Sequence, residues 1–288
     1  MWFVLALLSA LFQVLRNMVM KQLGHALDET INVWGRFTFI LPFAAAGVAW
    51  TGVPEIGPGF WLAGLWFGIA QNLSTLCLSK ALKASQISLV TALWKLSVIV
   101  LVGWGFLALG ERPTAPGLAG VLCSVAGVYL LNVNKARIAW WAPLAALVQD
   151  PGQRWTLGAA FLFAPSVVYI KQMAVASSPV FAILVGYLIC AAIVTPYTIY
   201  RSARHFRQVG RHFGRFVALG ATSALSTLFG TTAYTLALSS YVEAVKQVEI
   251  LFALAIGMLF FREGATVRAI WPGTLVMLAG LVLLKLWG

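Results

Sequence analysis

An all-α integral membrane protein of ten transmembrane helices, arranged as two inverted five-helix repeats, is the fold class that three observations predict. Of 288 residues, 61% are hydrophobic and 10% charged, and the mean hydropathy is +0.89. A water-soluble domain carries about 25% charged residues, so this composition belongs to a chain solvated by lipid. The apolar residues gather in blocks of about 20, the helix length that crosses a hydrocarbon core of about 30 Å, without the alternation of barrel strands. Finally, the second half of the chain repeats the pattern of the first.

The blocks place spans at 2–21, 31–50, 60–79, 86–109, 115–132, 156–175, 179–200, 216–238, 241–261 and 267–287. Trp2, Trp50, Trp61, Trp140, Trp141, Trp155, Trp271 and Trp287 fall near their ends, where amphipathic rings favour the interface. The first block has no basic head and contains Gln13, Arg16 and Asn17, so it reads as a span rather than a cleavable signal. Only 133–155 and 201–215 are long connections. The former includes "ARIAWWAPLAALVQDPGQ", whose Trp pair, Pro143 and Pro151 suggest an interfacial linker. It separates a first five-helix repeat, 1–132, from a second, 156–288.

Chemistry-bearing motifs are few. Cys77, Cys123 and Cys190 lie inside apolar blocks and read as small buried hydrophobes. His25, His205 and His212 have no ligand-like company, so neither a metal nor another cofactor is expected. The net charge of +12 is concentrated in "RSARHFRQVGRHFGR" (201–215), between two spans. Arginines there are topology signals and contacts to anionic membrane lipids rather than a nucleic-acid surface. No nucleophile or metal motif points to catalysis, and an enzyme is not expected.

The repeat is visible in particular residues. "LSTL" occurs at 73–76 and 225–228, an offset of 152. At that offset "SLVTALWKLSVIVLVGWGFLALGE" (88–111) aligns with "SYVEAVKQVEILFALAIGMLFFRE" (240–263). Ser88 meets Ser240, Ala92 meets Ala244, Gly105 meets Gly257 and Glu111 meets Glu263. One residue later in offset, Gly120 and Gly127 fall on Gly273 and Gly280. An odd number of spans per half puts the halves in opposite orientations, with a site expected near the midplane.

"KALKASQISLVTALWKLSVIVLVGWGFLALGERPTAPGLAGVLCSVAGVYLLN" (80–132) resembles the EamA repeat of the drug/metabolite transporter superfamily. There a short Ala-rich link joins two spans, a Glu closes the second, and a Gly-containing span follows. Glu111 and Glu263 match that closing Glu. The resemblance implies a ten-helix secondary transporter of small metabolites, working by alternating access without ATP, in the cytoplasmic inner membrane of a bacterium. It also implies both termini inside. The charges oppose this: Lys80, Lys135, Arg154 and the arginines of 201–215 flank odd-numbered connections, against Arg112, Lys171 and Lys285 on the other side. The positive-inside rule therefore puts the termini outside the cytoplasm.

Ionisable residues deep in spans cost about 2.5–3.5 kcal/mol each to insert, which marks Arg16, Arg36, Lys95, Lys246, Glu243 and Glu249 as site candidates. Lys95 lies too deep in its span to snorkel; a structural ion pair is its plainer role. In "SYVEAVKQVEILF", Glu243, Lys246 and Glu249 recur at i to i+3 spacing on adjacent ridges of one helix. A self-neutralised triad competes there with half of a binding site whose other wall carries Lys95. Gln13, Arg16 and Asn17 share a face of the first span, and the adjacent amides Gln71 and Asn72 exceed what packing needs. Ser223, Ser226, Thr227 and Thr231 read as helix glue. The glycine pairs permit close helix contact, within the chain or in a homodimer.

The four deep cations outnumber the two deep anions, so the expected solute is anionic or zwitterionic. Glu249 and Glu243 are the candidates for coupling transport to protons. Two alternatives stay open: a translocase of lipids or lipid phosphates, and an exporter of amines or amino acids using Trp34, Trp94 and the glutamates as a cation site.

Overall fold

In lipid, a backbone can hydrogen-bond only within its own helix or around a closed barrel, so long apolar runs become helices. A computed structural model describes residues 1–24, 27–84, 90, 93–136, 139–142, 150–252, 255 and 265–287, and every element among them is helical. His25, Ser88, Thr91, Ala92, Gly257, Glu263, Pro143, the start of span 86–109 and the end of span 241–261 lie outside the described residues.

The order is α1 (Trp2–Gly24), α2 (Glu29–Phe39), α3 (Leu41–Thr51), α4 (Phe60–Ala84), α5 (Ser97–Leu109), α6 (Ala115–Ala136), α7 (Pro151–Val175) and α8 (Pro179–Ser202). A 3₁₀ turn (Ala203–His205), α9 (Phe206–Arg211), α10 (Phe213–Leu236), α11 (Ser239–Lys246) and α12 (Ala265–Trp287) follow. The segments Trp2–Met20, Thr30–Thr51, Pro151–Val175, Pro179–Arg211 and Phe213–Leu236 are each long and apolar enough to cross a bilayer. Shorter apolar helices lie at Ser97–Leu109, Ala115–Leu130 and Pro272–Trp287.

Three local features depart from the simplest reading. The second span is two helices, α2 and α3, interrupted at Ile40, because Pro42 lacks an N–H and its ring crowds the carbonyl four residues back. The connection 201–215 is mostly helical, as its helix-favouring arginines allow. Helix α7 begins at Pro151, where proline fits the first turn and Asp150 Oδ1 accepts from the Gly152 N–H at 2.8 Å.

Two compact units form, and each draws helices from both sequence halves. Unit 1 comprises residues 1–72 and 169–236. In it α1 packs on α10. The buried Ser9 and Ser226 exchange bonds, each hydroxyl donating to the other's carbonyl at 2.8 and 3.1 Å. Leu23, Leu27, Ile31, Phe216 and Leu219 form an apolar cluster at one end, where Gly220 lets α10 approach the Phe39 backbone.

Unit 2 comprises residues 73–168 and 237–288. Ser74 Oγ donates to the Ala159 carbonyl at 2.9 Å, tying α4 to α7. Ser74 and Ser226 are the serines of the two "LSTL" copies, so the same serine makes the same kind of interhelical bond in each unit. Helix α6 packs on α12 through glycines. A Cβ on Gly120 would lie 3.0 Å from the Gly280 carbonyl oxygen, and one on Gly127 would lie 2.7 Å from that of Gly273. Ascending along α6 therefore means descending along α12, and the two run antiparallel.

Helix α5 ends on Gly110, whose φ of 65° is left-handed. The Gly110 and Glu111 N–H groups fold back to the Phe106 and Gly105 carbonyls at 3.1 and 3.0 Å, the first of them the 5→1 bond of an αL closure. This delivers the Glu111 carboxylate to the start of α11. There it accepts the Ser239 N–H at 3.0 Å and the Ser239 hydroxyl at 2.8 Å. Glu111 thus caps a helix 128 residues away in sequence.

Candidate functional site

Unit 2 contains two places where a helix is interrupted in the middle of an apolar run. After 93–94 the chain makes a turn at Lys95 and Leu96 before α5, and after α11 it turns at Gln247 and Val248 before becoming helical again at 249–252. Neither turn contains Pro or Gly. Their hydrogen bonds match at the repeat offset of 152. Leu96 N–H donates to Leu93, Val98 to Lys95, and Ile99 and Val100 both to Leu96. Correspondingly, Val248 donates to Val245, Ile250 to Gln247, and Leu251 and Phe252 both to Val248. Most are tightened i to i−3 bonds, and such mid-helix 3₁₀ stretches accompany functional hinges.

The deep charges of unit 2 lie at these turns. Lys95, in the first turn, donates from Nζ to Glu249 Oε1, one residue past the second turn; each side chain is 14% exposed. Lys246, the last residue of α11, donates to Glu243 Oε1 one helical turn earlier, and both are buried. The i to i+3 pattern of Glu243, Lys246 and Glu249 is thus divided. Glu249, just past the turn at 247–248, holds Lys95, while Lys246 holds Glu243. Lys95 and Glu249, which belong to the two segments aligned by the repeat, are joined by this ion pair. Trp94 packs its ring on Phe163 at 5.1 Å, inside the same unit.

The other predicted site residues belong to unit 1. Arg16 Nε and Nη2 lie 3.3 and 3.1 Å from Asn17 Oδ1, which holds the guanidinium against α1; Gln13 is one turn earlier. Arg36 is half-buried in the last turn of α2, with its guanidinium 5.7 Å from the Phe37 ring and its buried Nε lacking a hydrogen-bond partner. Gln71 and Asn72 are buried. The Asn72 amide donates to the Gly68 and Cys190 carbonyls at 2.8 and 3.3 Å, so that amide ties α4 to α8. Trp34 donates from Nε1 to Thr195 Oγ1 at 3.1 Å.

Three residues of unit 2 stand out that sequence reasoning did not place in the site. Glu111, noted in the sequence as the Glu that closes a span, is a cap. Ser240 and Gln247 lie i and i+7 apart, on the helix face that also carries Glu243. The Ser240 hydroxyl and both polar atoms of the Gln247 amide are buried without a hydrogen-bond partner. The alignment had placed Gln247 opposite Lys95, but a lone amide carries little weight beside charges.

Apolar helices with charges gathered at interruptions define an all-helical, multi-pass membrane protein. The EamA-like transporter family matches residues 1–133. A protein of Sinorhizobium sp named "Uncharacterized transporter in cobO 3'region" is 35% identical over 136 residues, 46% of this chain and 96% of that protein. A protein of known crystal structure superposes with a TM-score of 0.77 over 99% of this chain and 97% of its own, at 16% identity, a likeness of fold. The chain belongs to the EamA-like transporter family, within the drug/metabolite transporter superfamily, and is a membrane transporter.

Proposed function

We propose that this transporter is a secondary carrier that moves a small polar metabolite, anionic or zwitterionic, across the cytoplasmic membrane by alternating access. The observation that carries this reading is the pair of matched helix interruptions, joined by the Lys95–Glu249 ion pair. Carriers built from inverted repeats bind solute at discontinuous helices near the midplane, where side chains and irregular backbone converge. A buried ion pair is seldom a net gain in stability over an apolar pair, so its retention suits a site that opens and closes.

The two-repeat architecture has three supports beyond the sequence offset: the matching bonds of the interruptions, the two "LSTL" serines, and the crossing of α6 on α12. That crossing has the form of a local twofold. Gly120 faces Gly280 while Gly127 faces Gly273, and the sequence repeat pairs Gly120 with Gly273 and Gly127 with Gly280. An antiparallel crossing of repeat-related helices fits an inverted pair.

Protonation of Glu249 would release Lys95, which gives a route for proton coupling. A thermal-stabilisation screen of the purified protein with amino acids, organic anions, nucleotide sugars, amines and lipid phosphates tests the class, because a ligand that binds the native state raises its melting temperature. A water-soluble anion or zwitterion is the expected hit, with stabilisation and uptake into proteoliposomes lost in Lys95→Ala and reduced in Glu249→Gln. Stabilisation by lipid phosphates alone would instead identify a lipid translocase. Retention of wild-type binding and uptake in both variants would remove these residues from the site.

A further inference from the structure

The repeat offset that pairs Lys95 with Gln247 also pairs Glu249 with Ser97. The ion pair between Lys95 and Glu249 therefore has a repeat-related counterpart in Gln247 and Ser97, both 3% exposed. Across the first pair a bond is made. In the second, neither the Oε1 nor the Nε2 of Gln247 finds any partner, and along the same helix face the Ser240 hydroxyl, 1% exposed, also has none. An unsatisfied amide so deeply buried is costly, and such groups concentrate where a ligand completes the bonding.

We propose that Gln247, with Ser240 one face-repeat away, is the specificity-determining contact for an uncharged group on the solute that both donates and accepts a hydrogen bond, a carboxamide or a hydroxyl. This rests on the carrier reading above and deepens it. The chemistry follows from what is unsatisfied. Gln247 offers one acceptor oxygen and an amide donor together, and Ser240 a hydroxyl that serves as either. A solute carboxylate would satisfy the donor and leave Oε1 facing negative charge, whereas a carboxamide or hydroxyl satisfies both. Lys95 and Lys246 already hold glutamates, which fits recognition of a neutral group beside them. Because Gln247 sits in the interruption itself, the solute reaches it when the turn at 247–248 opens.

The test compares wild type with Gln247→Met, nearly equal in volume, and with Ser240→Ala. The probes are two matched pairs: L-asparagine against the near-isosteric L-leucine, and L-malate against succinate. Ligand-free Gln247→Met is expected to melt about 2–4 °C above wild type, because an unsatisfied amide has been replaced by an apolar chain. Wild type is expected to bind asparagine over leucine, or malate over succinate, by about tenfold or more, and both variants are expected to lose most of that preference. The proposal is overturned if wild type shows no preference within either pair, if the variants keep it, or if Gln247→Met melts below wild type as loss of a structural bond would make it. Lys95→Ala separates the two readings. If it abolishes solute binding while Gln247→Met keeps the preference, this inference fails and the carrier reading stands. If Lys95→Ala leaves binding intact, the carrier site itself is misplaced.

Discussion

At Lys95 and Glu249 two charges lie mostly out of water, and each offsets part of the cost of burying the other. Removing one leaves the other buried without its partner. Lys95→Met is therefore expected to lower stability by about 3 kcal/mol, whereas the double variant Lys95→Met with Glu249→Met should return to within about 1 kcal/mol of wild type or exceed it. Melting followed by Trp fluorescence checks the ordering, and solute uptake should be absent in both. If the double variant remained as unstable as the single, the pair would be a structural fastener and the carrier assignment would lose its main support. A second expectation concerns the proton. In Glu249→Gln the residue can no longer titrate, so any uptake that survives should not depend on an imposed pH gradient, as measured in proteoliposomes. Gradient-driven uptake persisting in that variant would move coupling to Glu243 or elsewhere.

Among the elements, α11 is the one held most deliberately. It is eight residues long, too short to be stable alone, and its start is fixed from outside. Glu111 caps Ser239, and Tyr241 Oη accepts the Thr114 N–H at 2.9 Å. Glu111→Ala should cost about 1–2 kcal/mol and lower the melting temperature, and Glu111→Gln should recover part of it by still accepting a bond. Close packing gives a sharper contrast. A methyl group on Gly127 would run into the Met277 backbone, while one on Gly158 would meet nothing within 4 Å. Gly127→Ala should accordingly destabilise by well over 1 kcal/mol, and Gly158→Ala should be neutral or stabilising by about 0.4–1 kcal/mol. Equal melting temperatures for the two variants would contradict the α6–α12 crossing. The sequence announced some of this behaviour and hid the rest. Pro42 marks the break between α2 and α3, yet Pro165, Pro196 and Pro272 sit inside continuous helices, so proline alone does not locate an interruption. The turns at 95–96 and 247–248 have no breaker residue. Their bonds are local backbone bonds that no residue type in the sequence announces. Likewise, Lys95 and Glu249 were visible as costly residues and an ion pair was open to Lys95, but which glutamate it takes was not legible. Spacing along one helix instead drew Glu249 towards Lys246.

For the whole chain, composition and block length were enough to read a helical membrane protein, because hydrocarbon imposes both at every position of a span. The repeat was legible from serines, glycines and a glutamate, residue types chosen for contact rather than mere apolarity. Orientation is the property in which two lines of reasoning oppose each other. The family resemblance implies termini inside, whereas the basic residues gather around odd-numbered connections, most densely at 201–215. Insertion responds to Lys and Arg near span ends, so the charge distribution has a direct physical mechanism and the resemblance does not. We expect the arginine-bearing segment to face the cytoplasm. Single cysteines placed at Arg204 and at Glu55, with Cys77, Cys123 and Cys190 replaced, would lie at connections of opposite parity. In intact cells a membrane-impermeant maleimide should label the cysteine at 55 and spare that at 204 until the membrane is permeabilised. The reverse pattern would put the arginines outside. It would also require that something other than the positive-inside bias, such as the early spans of the first repeat, sets the topology of this chain.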